Sequence, residues 1–327
     1  MMMAIGAHPD FQFGRNMNKY LNMRLLIFLL LGLLGLSANA QISADHYRVY
    51  AVKAGKEVTL ETIVQDMASA DVLFFGEEHN DSVGHYLEMT LLEMMNRSYP
   101  GKVALSMEMF DRDVQPVMNE YLRGGIKEKH FKKDARVWSN YADYQPMIEY
   151  ARTNHLEVIC ANAASRYTNL AGREGQQALM ALPQESRKFM APLPYDTASG
   201  SYYDKLMALM GHTATDSAAP VPMATMMDGF SLIMAQSLWD ATMAWSIAEY
   251  VKKHKGNKVF QVNGRFHSDE HFAIVTQLKS YSPKTKVLVI STGPDETFPF
   301  VDWSKFQQLG DYIIITDPNV PRTYDDF

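Results

Sequence analysis

Two phrases of one form could carry chemistry in this chain. Gly76-Glu77-Glu78-His79 closes the apolar run at 71–75, and Gly264-Arg265-Phe266-His267 closes the run at 258–263. Each reads as a buried strand followed by glycine, two residues and histidine. Two such exits would bring two imidazoles to one edge of one sheet, where open α/β folds place their ligands. Two neutral imidazoles with one or two carboxylates can hold a divalent metal and leave a position for water or substrate. Such a metal acidifies its bound water, and a further carboxylate can act as base. His79, Glu108 and His267 are the expected ligand set, for zinc, manganese or cobalt, with Glu78 or Glu77 as base. The plainer alternative is that His79 and Glu77 cap a helix and satisfy backbone groups.

The elements that must position these residues follow from periodicity. Short apolar runs alternate with segments of helical period. Strands are expected at 72–75, 103–107, 156–161, 259–262, 287–290 and 312–315. Several do not alternate, as befits strands buried on both faces of a parallel sheet. Residues 47–52 read as an edge strand before the core. Asn80, Asp81 and Ser82 offer caps for a helix running to about Asn96. Another helix starts at Asp111 or Asp113 and ends at Gly124-Gly125. A third carries Tyr141, Tyr144, Ile148 and Ala151, and a long one covers 223–253. The alternation predicts a three-layer α/β/α domain with a mainly parallel sheet over residues 41–327. The stretch 166–222 breaks the rhythm with Pro183, Pro192, Pro194, Pro220, Pro222, Gly200 and Gly211, and reads as a helical insertion or lid. In a parallel sheet the strand exits gather, so Glu77, Glu78 and His79 should meet Glu108, Asn162 with Arg166, and Arg265 with His267.

Other residues are open to two readings. His85, six residues past His79, either lines the pocket rim or is solvated. His267-Ser268-Asp269-Glu270-His271 matches an inverted zinc-protease pattern, which needs both histidines on one established helix. Here His267 follows a strand and a glycine turn, so the match reads as accidental. Asp240 lies amid apolar neighbours, at helical spacing from Gln236 and Met243. It either has a cationic or hydrogen-bonding partner in the pocket or sits on a helix surface. Trp138, Tyr141 and Tyr144 form an aromatic stretch, and Met207, Met210, Met223, Met226 and Met227 lie in or near the insertion. Tyrosine, histidine and methionine can ligate haem iron, and methionine-rich surfaces adapt to flat apolar ligands.

The bulk properties narrow the classes. The chain has 327 residues and a formal charge of −6, with Lys and Arg scattered, so no basic stripe points to nucleic acid. Lys19 and Arg24 precede an apolar run at 25–36, and Ser37-Ala38-Asn39-Ala40 offers a small-x-small cleavage site. Residues 1–40 therefore read as a secretory signal peptide behind an over-extended start, with translation expected from Met17 or Met23. Cys160 is the sole cysteine, which rules out a disulfide framework and a lipid-anchored cysteine at the cleavage site. Export without disulfides points to a bacterial periplasm or cell surface.

Taken in order, the motifs resemble the ChaN-like haem-binding proteins. The residues concerned are Asp71-Val72-Leu73-Phe74-Phe75-Gly76-Glu77-Glu78-His79, then Met107-Glu108-Met109-Phe110-Asp111-Arg112-Asp113-Val114-Gln115-Pro116 and the stretch 138–144. They continue with Asn162 to Arg166, Leu238-Trp239-Asp240-Ala241-Thr242-Met243-Ala244 and Asn263-Gly264-Arg265-Phe266-His267. The likeness covers roughly residues 55–278 and extends to a superfamily with Tiki-type, TraB-like and erythromycin-esterase-like proteins. It implies a signature of Gly76, His79, Glu108, Gly264 and His267. It further implies haem as ligand, a role in bacterial haem or iron uptake, and partners in outer-membrane haem machinery, with a haem pocket shared across a homodimer as one arrangement. Cofactor contacts are then expected from His79, Glu108, Tyr141, Tyr144, Asn162, Arg166, Asp240 and His267, with Tyr141 or Tyr144 as axial ligand. The alternative implied by the wider superfamily is a metal-dependent peptidase or esterase with His79, Glu108 and His267 on the metal and Glu78 as base. Many relatives are lipoproteins, whereas this chain has no cysteine at the expected cleavage site.

Overall fold

The computed structural model describes residues 42–209 and 223–325. The expected leader at 1–40 and the C-terminal end of the expected insertion, 210–222, lie outside them, as do the side chains of Met210, Met223, Met226 and Met227. Eight strands form one sheet: β1 Tyr47–Ala51, β2 Lys56–Val58, β3 Val72–Glu77, β4 Val103–Asp111, β5 Glu157–Asn162, β6 Lys258–Gly264, β7 Val287–Pro294 and β8 Tyr312–Thr316. Their order is β2-β1-β8-β7-β3-β6-β4-β5. From β8 to β5 every pairing is parallel, while β1 runs antiparallel to both β8 and β2. The expected strand at 47–52 is therefore one place in from the edge. The true edge is β2, whose three residues, mostly polar and exposed, leave no hydrophobic pattern to read and keep a short edge that resists pairing with other chains.

The helices are α1 Leu60–Asp66, α2 Ser82–Ser98, α3 Gln115–Leu122, α4 Glu128–Asp134 and α5 Tyr141–Thr153. They continue with α6 Ser165–Met180, α7 Gln184–Arg187, α8 Gly200–Leu209, α9 Met223–Lys253 and α10 Ala273–Tyr281. Side chains alternate across a strand, so β3 feeds two layers. Val72 and Phe74 pack with Val259 and Val289 beneath Met243, Ala244 and Ile247 of α9 and Ile274, Val275 and Leu278 of α10. Leu73 and Phe75 face the other layer, with Phe75 edge-on to Phe260 at 6.2 Å. All six residues of β3 are buried, which matches a strand covered on both faces. Full burial of each such Phe or Leu contributes about 1.5–3 kcal/mol. Asp81 caps α2 by accepting from the Val83 amide at 3.0 Å, so the helix starts directly after the first strand exit. No helix among the described residues is long and apolar enough to cross a membrane.

Within the stretch expected to be an insertion, the helices α6, α7 and α8 are joined by irregular segments at 181–183 and 188–199. The stretch folds back on the domain: α6 packs on α9, and Tyr202 of α8 clusters with Ile233, Phe266 and Phe272. One irregularity bears on the site. Between the pairs Met107–Cys160 and Asp111–Asn162, β4 advances four residues while β5 advances two. This bulge re-aims the end of β4, where Glu108 lies.

Candidate functional site

The two Gly-x-x-His exits interlock. β3 and β6 are neighbours, with Gly76 opposite Asn263 and Glu77 opposite Gly264. A Cβ on Gly76 would meet the Arg265 Cα at 2.8 Å and Ser268 Oγ at 2.9 Å. A Cβ on Gly264 would meet His79 Nε2 at 2.8 Å. Each glycine is thus the space into which the other exit presses. Both have negative-φ backbones, so close approach is what the position requires, and left-handed geometry is not.

His79 leaves β3 in the turn before α2, and its ring is set by three neighbours. Nδ1 donates to Glu77 Oε1 at 2.7 Å, and the Tyr144 hydroxyl donates to the same oxygen at 2.8 Å. Trp138 stands edge-on at 5.4 Å. His267, from the 3-10 turn Arg265–His267, repeats the arrangement. Its Nδ1 donates to Asp240 Oδ1 at 2.6 Å, and the Tyr202 hydroxyl donates to Asp240 Oδ2 at 2.7 Å. Glu108 stands between the rings. Its Oε2 accepts from the Gly264 amide at 2.8 Å, and its Oε1 lies 3.5 Å from His267 Nε2. Two chains, Tyr144–Glu77–His79 and Tyr202–Asp240–His267, therefore converge on one carboxylate.

The electrostatics follow from burial and pairing. Burial alone would raise the Glu77 carboxyl, but hydrogen bonds from His79 and Glu88 and the nearby imidazoles bring it down to about 2. Burial would lower His79, yet the Glu77 carboxylate leaves it raised on balance. His267 is wholly buried, which disfavours its charge, but Glu108 and Asp240 outweigh this and lift it to about 9. Burial also lifts Asp240, opposed by His267 and the Tyr202 hydrogen bond. With each Nδ1 held by its own carboxyl partner, Glu77 or Asp240, the Nε2 of His267 is turned toward Glu108 and that of His79 toward Gly264 beside it.

Some expected residues lie elsewhere. Glu78 pairs with Arg265 Nη1 at 3.2 Å and is 43 % exposed on the rim; the carboxylate on His79 is Glu77. Asn162 is buried and turns its Oδ1 onto the Ala163 amide at 2.9 Å, closing the end of β5. Arg166 pairs with Asp113 at 2.7 Å and stacks on Tyr167, in a separate group with Arg136 and Asp111. Tyr141 packs against Phe110 and Phe131, and its buried hydroxyl has no hydrogen-bond partner among the described residues. His271 turns to Asp311 at 3.1 Å, which separates it from His267.

Other residues enter that sequence reasoning did not place. Tyr202 comes from the insertion, and nothing in its local pattern marks it. His85, expected at the pocket rim or in solvent, is instead buried behind His79, where its Nε2 lies 3.1 Å from the His79 carbonyl. Glu88, three residues on, is also buried, and burial and the Glu77 charge push its carboxyl well up. Among the described residues, the group of three whose donor atoms all lie within 4.8 Å of one another is Glu77, His85 and Glu88, and not the expected set of His79, Glu108 and His267.

The donor set at the edge fits one axial contact to haem iron. His79 is 36 % exposed, its Nδ1 is committed to Glu77, and its Nε2 has no hydrogen-bond partner among the described residues. Tyr144 fits less well: burial and the adjacent Glu77 push its phenol far up, so it stays a hydrogen-bond donor. Two surface hollows of about 610 and 780 Å³ lie at the other end of the sheet, near Glu157 and His254 and near Asp71 and Lys284.

A family profile described as haem-binding uptake, Tiki superfamily, ChaN matches residues 63–278. Among solved structures, the fold is similar to that reported as cofacial heme binding to ChaN of Campylobacter jejuni. That likeness has a TM-score of 0.62 at 14 % identity and covers 84 % of this chain and 98 % of that one. Weaker likenesses are to the type III effector HopBA1 (TM-score 0.44, 12 % identity, 80 % and 94 % covered) and to an erythromycin esterase, EreC, in its open conformation (0.42, 10 %, 83 % and 83 %). No curated protein matches the chain.

Proposed function

The chain belongs to the haem-binding uptake family of the Tiki superfamily that includes ChaN, and from that membership we propose that it binds haem as cargo in bacterial haem or iron uptake. The contact is at the edge of the sheet where β3 and β6 end, and His79 is the axial ligand. The supporting observation is the part-exposed imidazole whose Nδ1 is tied to an ionised Glu77 and whose Nε2 is left for a ligand. Bound haem would supply an iron centre with an open coordination position, and the protein's part is to present and orient the ligand. Glu77 and Tyr144 hold the ring, Trp138 borders it, and Glu108 with His267 sets the charge behind it. The expected setting is the periplasm or cell surface, with outer-membrane haem machinery as partner. Titration of folded protein with hemin should give a saturable Soret shift that His79→Ala abolishes. A folded sample that gives no shift excludes this reading.

A second reading rests on the mirrored chains that converge on Glu108. A carboxylate-backed imidazole is a general base, and a protonated one is a general acid. His79 would take a proton from water while His267, lifted to about 9, would protonate a leaving group. This is ester or peptide hydrolysis, with the base moved from Glu78, which pairs with Arg265, to His79. Hydrolysis of model esters that is lost in both His79→Ala and His267→Gln supports it. Absence of turnover, with or without added divalent metal, excludes it.

A further inference from the structure

We propose that Glu77, His85 and Glu88 form a binding site for one divalent transition-metal ion of the zinc type, seated in the layer behind His79. His85 Nε2 lies 3.1 Å from the His79 backbone carbonyl, so this nitrogen carries the hydrogen and donates it there. A metal-bound histidine almost always gives its other N–H to such an acceptor. The lone pair of Nδ1 then faces two acidic oxygens, Glu77 Oε2 at 3.4 Å and Glu88 Oε2 at 3.3 Å.

These separations are long for a charge-assisted hydrogen bond, which prefers about 2.7–2.9 Å. They match a different geometry. Four donors placed tetrahedrally at 2.0–2.1 Å from one ion stand about 3.3–3.4 Å apart. Donor atoms of all three residues lie within 4.8 Å of one another. One imidazole and two carboxylates leave a fourth position for water, and this nitrogen and oxygen set suits zinc and its neighbours.

A second observation points to a ligand. Apart from the neighbouring glutamate's own carboxyl, no donor among the described residues reaches Glu77 Oε2 or Glu88 Oε1, and both side chains are fully buried. Unpartnered buried oxygens are costly and call for a proton or a cation. Glu77, Asp81 and Asp143 all act on Glu88 with negative charge, a field that concentrates cations. Asp143 lies at the other ring nitrogen, with its Oδ2 3.7 Å from His85 Nε2, and adds negative charge around the imidazole. Because Glu77 also holds His79, an ion here would stiffen the ring at the edge.

The test uses chelator-treated full chain with no hemin in any arm, so its outcome is separate from the haem reading. Titration with Co(II) should produce the visible band of a four-coordinate ion, and Zn(II) should displace it at one ion per chain. Glu88→Gln, checked for folding by circular dichroism, should weaken binding more than about 100-fold, beyond the 10–100-fold contributed by outer partners. Glu108→Gln should leave the band unchanged. X-ray absorption on the zinc-loaded wild type needs no variant and should show one imidazole among oxygen donors. Two imidazoles would assign the ion to His79 and His267 and overturn the proposal. Folded wild type that binds neither ion, so that a proton alone fills the gap, would overturn it as well, as would a Glu88→Gln protein that binds as tightly as wild type.

Discussion

Adding one methyl group to each motif glycine should separate stability from ligand binding. In Gly76→Ala the new Cβ stands 2.8 Å from the Arg265 Cα, a backbone atom that no side-chain rotation can move. Restoring an ordinary contact of 3.4 Å requires about 0.6 Å of separation between the ends of β3 and β6. Such overpacking destabilises by about 1–3 kcal/mol. At about 2–4 °C per kcal/mol for a domain of this size class, Tm should fall by about 2–12 °C. In Gly264→Ala the Cβ instead meets His79 Nε2 at 2.8 Å and Cε1 at 3.2 Å, while Glu108 Oε2 is farther at 3.7 Å. The imidazole can move, so stability should change less. Moving the ring strains its 2.7 Å hydrogen bond to Glu77, and a loss of about 1.4 kcal/mol there is a tenfold weaker ligand contact. The assays are thermal melts and hemin titrations on both variants in parallel. If Gly264→Ala matches wild type in hemin affinity while Gly76→Ala melts normally, the interlocking of the two exits is not what positions His79.

Other perturbations follow from the same geometry. His267 is lifted to about 9, so it contributes stability that is full below about pH 6.5 and is lost as pH rises through about 9. Wild type should therefore melt progressively lower between pH 7 and pH 10, and His267→Gln should flatten that slope; an unchanged slope contradicts the pairing. Tyr202→Phe removes the hydroxyl on Asp240 and should destabilise by about 1–3 kcal/mol, measurable by urea unfolding. Tyr144→Phe should also destabilise, by loosening Glu77, whereas Tyr141→Phe removes an unpartnered buried hydroxyl and should be neutral or stabilising in the same assay. Both tyrosine variants should keep the hemin Soret shift, because neither phenol is the axial ligand.

Much of this was legible in the chain because strand exits in a parallel sheet converge. The apolar runs at 72–75 and 259–262 gave neighbouring strands, and the residues after them meet as the topology requires. Asp240 was open to two readings, a partnered pocket acid or a residue on a helix surface, and burial against His267 decides for the first. The roles of Glu77 and Glu78 were not separable, since which carboxylate reaches His79 depends on strand twist and turn geometry. Asn162 and Arg166 follow a strand of the same sheet but sit past the β4–β5 bulge, and sequence periodicity carries no trace of that register shift. Tyr202 reaches Asp240 through the packing of the insertion on α9, a long-range contact with no local pattern. His85 and Glu88 do leave a signal, three residues apart on one helical face, but its meaning depends on Glu77 lying opposite.

The central claim is that His79 Nε2 is presented at the joined ends of β3 and β6 as the ligand for haem iron. The most direct measurement is a hemin titration followed by absorbance on folded wild type and on His79→Ala side by side. Wild type should give a saturable Soret shift with a histidine-ligated spectrum, and His79→Ala should lose that spectrum. An identical spectrum and affinity in both proteins would contradict the claim.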